Sequence, residues 1–187
     1  MSIVSFKSFA HYWASSGDWV SGNWGSGAFY FGNTGAGCLI AITVSDTSKT
    51  ITSLTMTLPI ANSNKNDSET CAIDAYLYES SKVSNTNTLK PSKFGTNYNV
   101  IPSTYTYSTT SSSYTFGKNY ATQNVTFTFN NLNITGSSFI YIKLKAKGSC
   151  IKTVNTPGST PISSTETSGG GGGGTTTTYY AYLQYNL

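Results

Sequence analysis

Catalysis would need side chains that move protons, attack or hold a metal, and the chain offers few of them. There is one histidine, His11, with three cysteines and seven acidic residues. His11 has no nucleophile or orienting acid near it in sequence. The nucleophile-elbow, zincin and phosphate-loop patterns are all missing. The acids Asp18, Asp46, Asp67, Glu69, Asp74, Glu79 and Glu166 are dispersed. A glycosidase needs two carboxylates facing one cleft. Asp74 and Glu79 are an odd number of positions apart, so on one strand they point to opposite faces. Asp67 and Glu69 fall in the polar stretch Asn62 to Thr70, where turn chemistry is the main reading and a Ca²⁺ site the lesser one. A non-enzyme is expected, with no catalytic residue, cofactor or metal ligand.

Cys38, Cys71 and Cys150 are odd in number and far apart, which implies no disulfide framework. With only His11 beside them they make a poor metal set. Reduced thiols are therefore expected, as in a protein made in a reducing cytoplasm. Asn66-Asp67-Ser68, Asn124-Val125-Thr126 and Asn133-Ile134-Thr135 match the glycosylation sequon, and they are read as chance in so Asn- and Thr-rich a chain.

Binding chemistry is better represented. Trp13, Trp19 and Trp24 sit among glycines, with Asp18 and Asn23 alongside. Aromatic faces against sugar C–H surfaces, with Asn and Asp oxygens fixing hydroxyls, hold neutral polar ligands. The plainer reading is that these tryptophans tie down the N-terminal segment by burial. Because the strands from Leu39 onward already supply a core, the segment is expected on a covered or ligand-binding surface. The run Gly169 to Gly174 lacks the Lys-Ser/Thr and helix start of a phosphate cradle. It reads first as a connector, and secondly as backbone able to approach a ligand closely.

The elements that must carry these residues are strands. Nowhere do apolar residues recur at helical spacing over three turns, whereas period-two alternation recurs often. Ala28 to Phe31, Leu39 to Val44, Ile51 to Ile60, Ala72 to Tyr78, Val125 to Phe129, Ile140 to Ala146 and Tyr179 to Tyr185 all read as strands. One or two more are expected around Thr104 to Phe116. Such alternation belongs to antiparallel sheets with one wet face. The expected fold is all-β: a two-sheet antiparallel β-sandwich of the jelly-roll kind with long Ser/Thr- and Gly-rich loops. Residues 1–187 are expected to form one domain, with a Trp/Gly-rich segment at 1–27 and a Gly/Thr-rich excursion at 153–178. Leu54, Met56, Ile73, Leu77, Val125, Phe127, Phe129, Ile140, Ile142 and Leu144 are expected between the sheets.

Composition narrows the partners. Only 10% of residues are charged, against about 25% in ordinary domains, so Ser, Thr, Asn and Gly must supply solubility. All 11 basic residues are Lys, and without arginine's bidentate fork nucleic-acid binding is not expected. Lys143, Lys145 and Lys147 share one strand face, read as solvated. No stretch approaches the ~20 apolar residues of a membrane span, and the start has no signal-peptide pattern.

Val125 to Phe129, then Asn130 to Gly136, then Phe139 to Leu144 resembles a hairpin of galactose-binding-like, carbohydrate-binding-module-like jelly rolls. Ile51 to Leu58 and Ile73 to Tyr78 are similar to earlier core strands of that family. The resemblance implies a sandwich with a binding role and transfers no ligand residues. The overall style also resembles bacteriophage virion proteins of tail, head fibre or decoration type. It implies a non-catalytic, homo-oligomeric module located in the virion. The partners it implies are other virion proteins, with host cell-surface polysaccharide as the expected ligand. The alternative is a purely structural decoration or minor tail protein.

Overall fold

The computed structural model describes the chain except residues 13–18, 24–28, 32–36, 63–64, 84–106, 109–111, 120, 148–153, 157–161, 167–174 and 180. For residues 9–12, 19–23, 29–31, 37, 108, 112, 145–147, 154–156, 162–166 and 175–179 it describes the backbone alone.

Two antiparallel sheets face each other. The larger contains β1 (Val4–Tyr12), β2 (Trp19–Asn23), β4 (Gly37–Val44), β6 (Glu69–Glu79), β7 (Tyr107–Ser108), β8 (Ser112–Phe116) and β10 (Phe139–Lys147). Its order is β2-β1-β4-β10-β6, with β7 and β8 both pairing β6. The smaller contains β3 (Phe29–Phe31), β5 (Ser53–Asn62), β9 (Thr122–Phe129), β11 (Val154–Thr156) and β14 (Tyr182–Asn186), built around β5. A separate hairpin joins β12 (Ile162–Glu166) to β13 (Thr175–Tyr179). The one helical turn among the described residues is Ser80–Lys82. The chain is thus a two-sheet antiparallel β-sandwich, as the period-two alternation predicts.

The inward residues of that alternation build the core. All ten expected core residues lie in one buried cluster, together with Val4, Ile40, Ile42, Leu58, Ile60, Phe116 and others. Leu183 and Tyr185 of β14 pack against it from the smaller sheet. Leu39 to Val44 is apolar on both faces because β4 is central, held between β1 and β10.

Four sequence expectations change. The stretch before Trp13 is a nine-residue strand, β1, hidden because a bulge between Phe6 and Ser8 breaks its alternation. The segment 153–178 is not simply an excursion: β11 pairs both β5 and β3, and its β-branched Ile162 and Thr175 to Thr178 enter strands. Tyr179 to Tyr185 splits into two strands, β13 and β14, in different sheets. Finally, Val125–Phe129 and Phe139–Leu144 do not form a hairpin, since β9 pairs β5 and β10 pairs β4 and β6. The connection between them sinks Leu132 and Ile134 into the core and so carries the chain across the sandwich. It is held by Leu132 N to Thr52 O at 2.9 Å and by paired backbone bonds between Ile51 and Ile134. Gly136 completes it at φ 75°, where a side chain would be strained.

Candidate binding faces

Trp13, Asp18 and Trp24 lie outside the described residues. Trp19 and Asn23 are the two ends of β2, an edge strand, with Trp19 opposite Tyr12 and Asn23 opposite Ser8. The structure therefore brings the Trp19 and Tyr12 backbones together and says no more of that set. The Gly169 to Gly174 run also lies outside the described residues.

The smaller sheet turns an uncharged polar face outward, exposed on its flanking strands and covered at its centre, where Thr57 is 1% exposed. Cross-strand register aligns Thr128, Thr55 and Gln184 in one row, and Thr126, Thr57 and Tyr182 in the next. The inward neighbours of these residues are Leu54, Met56, Phe127 and Phe129, which fixes the outward direction of the rows by alternation. Thr57 Oγ1 and Thr126 Oγ1 share a hydrogen bond of 3.0 Å, and Thr55 Oγ1 donates to Thr128 Oγ1 at 3.5 Å. Asn186 Nδ2 donates to Ser53 Oγ at 2.8 Å. Asn124, Thr126, Thr128, Gln184 and Asn186 are exposed, and Tyr182 is 47% exposed. None of the residues in these rows is charged. Hydroxyls and amides that both donate and accept, spaced by the ~4.8 Å between strands, can bond a polyhydroxyl surface without demanding a counter-charge. The Tyr182 ring adds an apolar plane at the rim of the array.

The larger sheet behaves differently. Leu39, Lys143 and Tyr76 form one cross-strand row on its outer side. All three are buried, Lys143 at 1% exposure. The expected solvated face is therefore wrong at Lys143, whose aliphatic stem lies between the Leu39 and Tyr76 positions. Tyr78 is buried there too, with Val83 and Tyr141 packed alongside. Tyr76 Oη donates to Asp74 Oδ2 at 3.1 Å. Burial raises the Tyr141 phenol above its ordinary pKa. Further along, the Phe139 and Tyr141 rings stack at 6.2 Å, and Lys7 Nζ sits 4.7 Å from the Phe139 centroid.

The acidic residues are not uniformly solvated either: Glu69, Asp74 and Glu79 are buried. Asp74 and Glu79 do fall on opposite faces of β6, since Ile73, Ala75 and Leu77 mark the inner one. Glu79 accepts from Lys82 Nζ at 2.6 Å, which holds the Lys82 ammonium above its ordinary pKa. Among the described residues no three His, Cys, Asp or Glu side chains are grouped as a metal site would require.

The thiol expectation is overturned at Cys71 and holds at Cys38. Cys71 is disulfide-bonded, Cys38 is free and buried, and Cys150 lies outside the described residues. Sequence separation concealed this. The β6–β10 pairing ends with Lys147 opposite Ala72.

Comparison with known proteins adds no relative: no family model matches the chain, and no curated protein or solved structure matches it. The two-sheet sandwich and its contrasting faces define the molecule.

Proposed function

We propose that the chain is a non-catalytic binding module of a bacteriophage virion that contacts neutral polysaccharide on the host cell surface. The uncharged outer face of β9, β5 and β14 carries this reading. A face of Thr, Asn and Gln with an exposed tyrosine suits a ligand that is rich in hydroxyls and free of charge. It suits a phosphate backbone poorly, because phosphate recognition draws on cationic side chains. The Cys71 disulfide fits a protein working outside the cell, where disulfides persist. The virion setting rests on the Ser/Thr/Asn/Tyr-rich, all-Lys style of the sequence.

A glycan array probed with the purified chain tests the reading. Binding to one or more neutral polysaccharides is expected. Binding should fall at least tenfold in Gln184→Ala and Tyr182→Ala while the circular dichroism spectrum is unchanged. An array that stays blank for the folded chain, or binding indifferent to both substitutions, would rule out this face as a glycan site.

A further inference from the structure

Two strands of the smaller sheet, β9 and β14, pair only with β5 among the described residues, and β9 is the longer at eight residues against five. Among the described residues β9 pairs only with β5, in eight unbroken register pairs from Leu54↔Phe129 to Ala61↔Thr122. Its far edge from Asn124 to Thr128 has no strand partner among the described residues. Proteins ordinarily guard such an edge with lysine, proline, a bulge or an inward charge, because it is a template for pairing with another chain. In β9 there are none. From Asn119 to Ile142 the sequence contains no charged residue at all.

We propose that two copies of this chain pair edge to edge through β9, antiparallel about a two-fold axis near Thr126. The electrostatics permit it, since an uncharged strand meets an identical uncharged strand with no like-charge repulsion along the contact. The alternation permits it as well. With Thr126 opposite its counterpart, Asn124 faces Thr128, and Val125 faces Phe127. The buried residues of both copies then stay on the core side and the hydroxyl rows stay outward. Such an interface is isologous and closes on itself. Its consequence is a continuous sheet whose uncharged outer face is doubled in width. A strand edge buries less than a standard protein interface, so the association is concentration-dependent. The pairing does not depend on which ligand the face holds.

Sedimentation velocity of the full chain across a concentration series reads this directly. The expected result is a shift from the 20.0 kDa monomer to twice that mass as concentration rises. Thr126→Lys places two ammonium groups at the axis and should hold the protein monomeric, with its strand spectrum retained. Gln184→Lys alters the same face away from the edge and should leave the dimer intact. A chain that stays monomeric at the highest concentration, or a dimer indifferent to Thr126→Lys, overturns the proposal. A dimer that forms without any glycan binding supports the pairing while counting against the glycan reading.

Discussion

The outer faces of the two sheets begin from the same sequence logic and end differently. On the smaller sheet, the residues of β9 and β14 that alternate away from the core are left in water: Thr126, Thr128, Gln184 and Asn186 are exposed, while Thr57 on the central β5 is covered. On the larger sheet a block of the corresponding positions is buried, including even Lys143 at 1% and Asp74 at 4% exposure. Alternation decides which way a side chain points. It does not decide whether anything lies above it. The smaller sheet spends its outward positions on a neutral array open to partners, whereas the larger sheet uses them as a second packed layer of Leu39, Tyr76 and Tyr78.

The largest expected effect comes from the core that both faces share. Phe127→Ala should cost about 3–5 kcal/mol in urea unfolding, because it leaves a cavity between sheets with 23 buried residues in the cluster. A loss under about 1 kcal/mol would mean that the alternation had been read in the wrong phase. The disulfide comes next. Cys71→Ser, or reductant applied to the native chain, should remove about 2–5 kcal/mol and lower Tm. An unchanged Tm would show that the cross-link contributes nothing to the larger sheet.

The contrast between faces is tested most directly by paired truncations. Lys143→Ala removes a buried stem from the Leu39–Lys143–Tyr76 row and should cost about 1–3 kcal/mol. Thr128→Ala on the open face should stay within about 0.5 kcal/mol. Tyr76→Phe should fall between them or near the first, at about 1–3 kcal/mol, since it strips a donor from a buried carboxylate. If Lys143→Ala and Thr128→Ala cost the same, the two faces do not differ energetically and the comparison fails.

Much of the fold was legible in the sequence, for a physical reason. Val125, Phe127 and Phe129 against Thr126 and Thr128 is a signal that one buried face alone can produce. Leu54, Met56 and Leu58 carry the same alternation, although Thr57 between them is buried as well. What was missed lies where that signal is interrupted or insufficient. The bulge at Lys7 shifts the phase of β1, so Val4 and Phe6 read as isolated apolar residues. The β9–β10 connection looks like a hairpin turn in one dimension, yet Leu132 and Ile134 are too apolar for a solvated turn, and they mark a crossover. The burial of Lys143 carried no signal, because its period-two spacing with Lys145 and Lys147 is identical on a wet and a covered face. The Cys71 disulfide carried no signal in a set of three widely spaced cysteines. Of the binding residues expected from composition, Trp13, Asp18 and Trp24 fall outside the described residues. The neutral face was present in the sequence only as the polar half of strands chosen for their apolar half.

The smallest expected effect lies at the rim of the sandwich, beyond both faces, at the turn after β4. Asp46 is partly exposed, and its carboxylate Oδ1 accepts from Ser48 Oγ at 2.6 Å and from Ser48 N at 3.1 Å. The Ser48 hydroxyl bond first, then the backbone bond, holds its pKa below the ordinary 3.8, with Lys49 adding a smaller pull. A carboxyl depressed in the folded state contributes stability that is complete above its unfolded value and fades as pH falls through the folded value. Exposure and solvent screening keep that contribution small. The turn is nonetheless tied into the structure, because Thr47 O accepts from Gly136 N at 3.0 Å and so joins the β4–β5 turn to the β9–β10 crossover. A carboxyl titration followed by NMR should place Asp46 below 3.8. Ser48→Ala should move it back toward that value and leave global stability at neutral pH nearly unchanged. An Asp46 titration indifferent to Ser48→Ala would mean the turn is not closed by this side chain, and the link to Gly136 would then rest on the backbone alone.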